Sequence, residues 1–305
     1  MKIVILQPLE TDISLYLKSE ILKEHEIIEY KIKTTSKDEI IKRIDDADIV
    51  VSDNTPLNEE ILSSNKNLKA LFIAFSGLDH IDLKYCNKNN IEVFNASGYS
   101  TNAVAELTLM FILMSLRKYN ELSYKNKLMG RELTNLNIGL IGMGNIAKEV
   151  LLLLKPFNNL KIFYYSLSPH KEIENECILY KSKEELLKES DIISLHIPLN
   201  ENTNNFIDEK EFLLMKDNAI LINTARGKIV SKSSLLKALD NKKISLYLSD
   251  VFEIEPPLDD DYDLLKYENV IITPHIGFYT KEAMEKRAKI IFDKLFMYIS
   301  IKNKF

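Results

Sequence analysis

The sequence predicts an α/β protein built on parallel, doubly wound sheets, and three observations carry that prediction. Short apolar runs alternate with longer amphipathic stretches almost from end to end, which is the pattern of βαβ units. A glycine-rich turn, Gly142-Met143-Gly144, joins a strand-like run to a helix-like one. Three polar groups, Arg226, Glu255 and His275, follow three successive strand-like runs in the second half, where open α/β sheets bind their ligands.

Taken in order, the first third reads as strands at 2–6, 26–31, 48–52, 69–73 and 91–94, with helical patterns at 37–45 and 57–62. A long apolar helix over 101–118 follows, then a Lys-rich polar stretch, 119–135. A second alternation starts at 137, with strands at 137–141, 161–165, 177–180, 191–196, 218–223, 244–249 and 269–273. Helical segments at 145–154, 183–188 and 232–239 separate several of them, and a helix over 281–299 comes last. Seven strands of this kind fill one doubly wound sheet. No fixed short repeat and no Pro/Gly/Ser-rich linker interrupts the chain, so two packed halves are expected rather than tethered beads.

Composition narrows the function. The 305 residues suit one large domain or two ordinary ones. A hydrophobic fraction of 46% with 28% charged residues is that of a globular protein with a proper core. The net charge of −5, from 40 basic and 45 acidic side chains with no basic block, gives no electrostatic reason for nucleic acid or an anionic membrane as partner. The apolar run at 1–6 is too short for a signal-peptide core, and the greasiest window, 103–116, contains Glu106 and falls short of the ~18 apolar residues of a membrane span. Cys86 and Cys177 form no metal-binding or redox pattern, which predicts reduced thiols. A cytoplasmic location without a metal site is expected.

The turn at 139–147 contains a G-x-G-x-x-A core. Gly142 permits the tight turn, Gly144 lets backbone approach a pyrophosphate, and Ala147 allows close helix–strand contact. The helix that starts at Asn145 and Ile146 then aims its unpaired N–H groups and positive dipole end at the phosphate. The next strand should end at an acid that binds the adenosine ribose of NAD, but it ends at Ser166. Without that carboxylate, the repulsion against a 2′-phosphate is gone. Ser166 and Ser168 can donate hydrogen bonds to it, and His170 or Lys171 can supply positive charge. The cofactor is therefore NADP or NAD, with a lean to NADP.

The three strand-end groups suit the reduction of a 2-oxo acid. Hydride addition puts negative charge on the carbonyl oxygen, and His275 is the residue type that donates a proton there near neutral pH. A neighbouring Glu255 would hold the protonated imidazole, and the planar Arg226 guanidinium matches a carboxylate bidentately and polarises the carbonyl. His80 and His196 read as structural or supporting, and His25 and His170 as surface residues, with His170 near an adenosine phosphate.

At this point the residues resemble the D-isomer-specific 2-hydroxyacid dehydrogenase family over nearly the whole chain. The segments that carry the resemblance are 77–82 (GLDHID), 95–106 (NASGYSTNAVAE), 139–147, 196–199 (HIPL) with Thr203, 222–227 (INTARG), 250–256 (DVFEIEP) and 273–277 (TPHIG). The resemblance implies Arg226, Glu255 and His275 as the catalytic set. Ser76, Gly77, Leu78, Tyr99 and Tyr279 become substrate-binding positions, with Ser76 and Gly77 offering backbone N–H groups to the substrate carboxylate. Gly142, Gly144, Asn145, Ile146, Ser166, Ile197, Pro198, Thr203, Thr224, Ala225, Arg226 and Asp250 become cofactor-binding positions.

It further implies a Rossmann cofactor domain, 99–281, inserted in a flavodoxin-like substrate domain, 1–98 plus 282–305, in a homodimer. Two branches of the family share features with the chain. Tyr99-Ser100 and 275–279 look like D-lactate dehydrogenases, whereas Ser166 looks more like NADP-using glyoxylate or hydroxypyruvate reductases, so lactate-, glyoxylate- and hydroxypyruvate-like substrates stay open. The alternative is a non-catalytic NAD(P)-binding sensor, corepressor-like, on the same fold, against which retention of all three catalytic residues argues. Formate or phosphite oxidation is disfavoured because relatives with those activities carry other residues around the histidine.

Overall fold

The computed structural model describes residues 1–119, 128–254 and 258–302. In chain order it begins with β1 (Lys2–Ile5), α1 (Ser14–Leu17), β2 (Glu26–Glu29), α2 (Lys37–Ile44), β3 (Ile49–Ser52), α3 (Glu59–Leu62), β4 (Ala70–Ile73), α4 (Leu83–Lys88) and β5 (Glu92–Asn95). Then come α5 (Thr101–Leu116), β6 (Asn137–Ile141), α6 (Asn145–Leu154), β7 (Lys161–Tyr165), β8 (Ile178–Tyr180), α7 (Lys183–Glu189) and β9 (Ile192–Leu195). The rest is α8 (Glu209–Leu214), β10 (Ala219–Asn223), α9 (Lys232–Asp240), β11 (Ile244–Ser249), β12 (Val270–Ile272) and α10 (Lys281–Lys302). Contacts divide the chain into two compact units, Met1–Ser100 with Tyr279–Phe305, and Thr101–Phe278.

The first unit is a five-stranded parallel sheet in the order β2-β1-β3-β4-β5, the flavodoxin-like order. Its inner strands read Ile3-Val4-Ile5, Ile49-Val50-Val51 and Ala70-Leu71-Phe72-Ile73, all at most 1% exposed. Such unbroken apolar runs are what strands covered on both faces require. The edge strand β2 carries Glu26 and Glu29 instead, and edge charge discourages pairing with another chain. Helix α10 covers β4 and β5, where Tyr298 meets Phe72 and Phe94 edge-on at 5.7 and 5.8 Å.

The second unit holds seven parallel strands in the order β12-β11-β10-β9-β6-β7-β8, the Rossmann arrangement with one further strand. α5 and α6 bury Phe111, Ile112, Val150 and Leu154 on one face; α7, α8 and α9 bury Leu186, Phe212 and Leu235 on the other. β6 pairs with both β7 and β9, so strand order reverses at β6 and opens a crevice beyond its carboxyl end.

Several element boundaries differ from expectation for local reasons. α3 starts at Glu59 rather than 57 because Asn58 caps it, accepting from the Ile61 N–H at 3.0 Å. β2 stops at Glu29 rather than 31, α5 stops at Leu116 rather than 118, and α10 runs on to Lys302 rather than 299. α8 was not expected, although Asp208 and Glu211 form a capping box readable as D-x-x-E. Likewise α4 is capped by Asp82, which accepts from Tyr85 N–H at 2.9 Å. Much of the polar stretch expected at 119–135 lies outside the described residues. Among the described residues no helix is long and apolar enough to cross a membrane.

Candidate active site

β6 runs into Gly142-Met143-Gly144, and α6 leaves at Asn145. Gly142 sits at φ +100°, and a Cβ there would lie 2.4 Å from the His196 carbonyl oxygen, so no other residue fits this turn. The Gly142 N–H donates to the Tyr165 carbonyl at 2.8 Å, tying the turn to the end of β7. Gly144 is the N-cap of α6 and is exposed, with nothing within 4 Å of where its Cβ would be. Ala147 is fully buried one turn on. An open concavity in front of a helix N-terminus fits a pyrophosphate. Asn145 and Ile146 form the first helical turn beside it.

A cavity of about 520 Å³ lies over this turn, and Gly142, Gly144, Ser166, Ile197, Pro198 and Thr203 line it. Its remaining walls include Tyr165, Phe206 and Asn202, which no motif singled out. Tyr165 and Phe206 stack at 6.1 Å, an apolar floor suited to a ring system. The Thr203 hydroxyl donates to the Pro198 carbonyl at 2.6 Å and accepts from the Asn200 N–H at 2.8 Å, fixing the rim.

At the end of β7 the Ser166 hydroxyl donates to the Ser168 carbonyl at 2.6 Å. His170, expected at the surface near an adenosine phosphate, is half-buried and lines this cavity. Its Nδ1 lies 3.2 Å from Glu172, and its backbone N–H donates to the Tyr164 hydroxyl at 2.6 Å. Burial pushes the Tyr164 hydroxyl up to about 12, so it stays a neutral anchor for the loop.

His196 lines the same cavity, half-buried, with Nε2 3.0 Å from the Ser194 hydroxyl. Burial pushes its imidazole down to about 4. It is therefore neutral at physiological pH and cannot serve as the proton donor. The other supporting histidine, His80, has Nε2 3.2 Å from the Asp53 carbonyl and packs edge-on to Phe75. His25, expected at the surface, is half-buried, with Nδ1 3.3 Å from the chain's amino terminus.

The catalytic candidates follow β10, β11 and β12, which lie side by side in the sheet. After β10, the Asn223 side chain braces the turn. Its Oδ1 accepts from Ala225 N–H at 3.0 Å and its Nδ2 donates to the Arg226 carbonyl at 2.9 Å. Gly227 packs so closely on the Phe252 backbone that a Cβ would lie 1.8 Å from its carbonyl carbon. The Arg226 Nη1 donates to the Ala225 carbonyl at 2.8 Å, which orients the guanidinium. Thr224 is buried, with its hydroxyl 3.1 Å from that of Thr108.

Asp250, just past β11, is 2% exposed. Its Oδ1 accepts from the Thr273 hydroxyl at 2.6 Å and the Ile276 N–H at 2.8 Å, and its Oδ2 from the Gly277 N–H at 2.7 Å. This carboxylate thus grips both sides of His275, which stands after β12 in the left-handed region at φ 56°, an uncommon state that needs such support. Burial raises the Asp250 pKa despite those donors. Glu255 lies outside the described residues. Two residues earlier, Glu253 is held by Lys232 at 3.0 Å.

In the first unit, Ser76, Gly77 and Leu78 form the half-exposed loop after β4. Tyr99 is 3% exposed, 6.2 Å from the Phe75 ring. Tyr279 is 54% exposed and borders a separate cavity of about 260 Å³ with Glu10, Thr11 and Lys281.

Residues 109–277 match the family model described as "D-isomer specific 2-hydroxyacid dehydrogenase, NAD binding domain". A hydroxypyruvate reductase of Thermotoga maritima is 35% identical, the alignment covering 93% of this chain and 95% of that protein. A glyoxylate reductase of Thermococcus litoralis is also 35% identical, over 85% and 82% of the two chains. Among solved structures, the D-lactate dehydrogenase of Aquifex aeolicus, complexed with NAD and lactic acid, superposes with a TM-score of 0.85 at 31% identity, covering 100% and 97%. With the crevice beyond β6 and the motif-bearing strand ends in hand, these likenesses fix the family: the chain belongs to the D-isomer specific 2-hydroxyacid dehydrogenases, NAD(P)-dependent oxidoreductases acting on 2-hydroxy acids.

Proposed function

We propose that this chain reduces a small 2-oxo acid, glyoxylate-, hydroxypyruvate- or pyruvate-like, to the D-2-hydroxy acid, with NADPH favoured over NADH. The observation that carries the reading is the grip of Asp250 on the loop of His275, beside the β10 turn that presents Arg226. A loop held from both sides fixes where the imidazole stands, and proton transfer needs a donor fixed within hydrogen-bond reach of the carbonyl oxygen.

When bound along Gly142, Gly144, Ser166 and Thr203, the cofactor supplies the hydride. His275 donates a proton to the carbonyl oxygen as negative charge develops there. Arg226 binds the substrate carboxylate and polarises the carbonyl. Glu255 is the acidic partner proposed for this histidine, and the Ser76 and Gly77 N–H groups are the donors proposed for the carboxylate. The lowered pKa of His196 makes it a poorer proton donor than an ordinary imidazole.

The NADPH preference rests on Ser166, a hydroxyl at the position where a carboxylate would repel a 2′-phosphate, with His170 in the same cavity wall. A homodimer is supported by the apolar side chains that α5 leaves exposed, Met110 at 41% and Leu113 at 39%. Unbridged Cys86 and Cys177 accord with a reducing, cytoplasmic setting.

The test is the loss of near-ultraviolet absorbance from NADPH and from NADH with glyoxylate, hydroxypyruvate, pyruvate and branched 2-oxo acids. Turnover with at least one acid, faster with NADPH, is expected. No turnover from folded, nucleotide-binding protein contradicts the reading, and a clear NADH preference contradicts its cofactor half.

A further inference from the structure

We infer that Asn95 is a positioning residue for substrate binding: its side-chain amide sets the Ser76–Gly77 peptide so that the Gly77 N–H faces the substrate carboxylate. The inference rests on the reading above that Ser76 and Gly77 receive that carboxylate.

Asn95 is the last residue of β5, and its Nδ2 donates to the Ser76 carbonyl at 2.7 Å. The next residue, Ala96, donates its N–H to the Phe75 carbonyl at 2.9 Å. Two consecutive carbonyls of the loop after β4 are thus taken up by the end of β5. A trans peptide is planar, with its C=O and the following N–H pointing in opposite directions. Pinning the Ser76 carbonyl against Asn95 therefore turns the Gly77 N–H to the far side of the peptide. Among the described residues no acceptor meets the Ser76 or the Gly77 N–H, and both residues are half-exposed. An N–H held outward without a protein acceptor is what an anion needs.

Asn95 is itself fixed. Lys294, on α10, donates from Nζ to the Asn95 carbonyl at 2.7 Å. The final helix thereby braces the end of β5, and the end of β5 braces the loop. The residue type matters as well. Aspartate has the same shape but would set an oxygen against the Ser76 carbonyl, and leucine would leave that carbonyl with no donor.

The test uses the full chain with Asn95→Asp, Asn95→Leu and Lys294→Met. Steady-state kinetics with the 2-oxo acid that wild type reduces fastest, the inhibition constant of oxamate (a carboxylate that is not reduced) and NAD(P)H binding by fluorescence are measured. KM and the oxamate constant should rise about tenfold to a hundredfold in both Asn95 variants, with kcat falling less and cofactor affinity within about twofold. Lys294→Met, which leaves the Asn95 amide in place, should raise KM by a smaller factor in the same direction.

Folded Asn95 variants with unchanged KM and oxamate constants, or with a loss in kcat alone, overturn the inference. Should neither Asn95 variant fold, an unchanged KM in Lys294→Met overturns it. Wild type that reduces no 2-oxo acid would instead overturn the reading beneath.

Discussion

His275 adopts a left-handed backbone state, and Asp250 braces the loop on both sides of it. Replacing Asp250 with Asn keeps the shape but removes the charge that three donors share. The loop should loosen, and turnover should fall by up to ~10²-fold through misplacement of the imidazole. A crystal structure of the variant with an unmoved 273–277 loop and full activity would contradict this account.

His196 gives a prediction of opposite character, in stability. Its pKa is about 4 in the folded chain, against ~6.5 in an unfolded one. Between those values the unfolded state binds more protons, so stability rises with pH and is lost as pH falls from ~6.5 towards 4, by at most ~1.4 kcal/mol per pH unit. His196→Gln should flatten that part of the Tm-against-pH curve. An unchanged slope would mean that the imidazole titrates normally. At this scale the positions of Arg226, His275 and Ser166 just past strand ends were legible in the sequence, and their residue types suggest the chemistry proposed for them. It was silent on the grip of Asp250 around the histidine and on Asn95, because those depend on which loops the fold brings together.

The strand–turn–helix β6–α6 separates two roles that its glycines play. Gly142→Ala meets both a positive φ and the His196 backbone, so it should destabilise the cofactor unit by roughly 1–3 kcal/mol or more. Gly144→Ala has open space in front of it, so the protein should melt as wild type yet bind NAD(P)H at least ~tenfold more weakly, since the new methyl occupies the approach of the pyrophosphate. Equal cofactor affinity in Gly144→Ala would move the phosphate elsewhere. Melting curves and fluorescence titrations distinguish the two effects. Most elements were readable from apolar periodicity because buried parallel strands and long amphipathic helices leave strong patterns. The short α1, α4 and α8 were not, since helices of four to six residues offer fewer than two turns of periodicity; the Asp82 cap and the Asp208/Glu211 box are the only local signals of α4 and α8.

At the scale of the molecule, two parallel sheets with different strand orders occupy one chain, and the second sheet carries the cofactor turn and the strand ends of Arg226 and His275. The alternation of runs revealed both sheets, while the strand orders themselves came only from the structure, because local sequence does not encode which strand pairs with which. The exposed apolar side chains of α5 predict a dimer by light scattering at micromolar concentration. Mutating Met110 and Leu113 together to Glu should shift the protein towards monomer, whereas a monomeric wild type would refute the dimer.

Whether His275 delivers the proton in NAD(P)H-dependent reduction of a 2-oxo acid is decided by comparing wild type with His275→Gln at saturating cofactor. Wild type should consume NAD(P)H with a 2-oxo acid, while the variant should bind the cofactor equally well but turn over ~10²- to 10⁴-fold more slowly. A folded variant with undiminished turnover would contradict it.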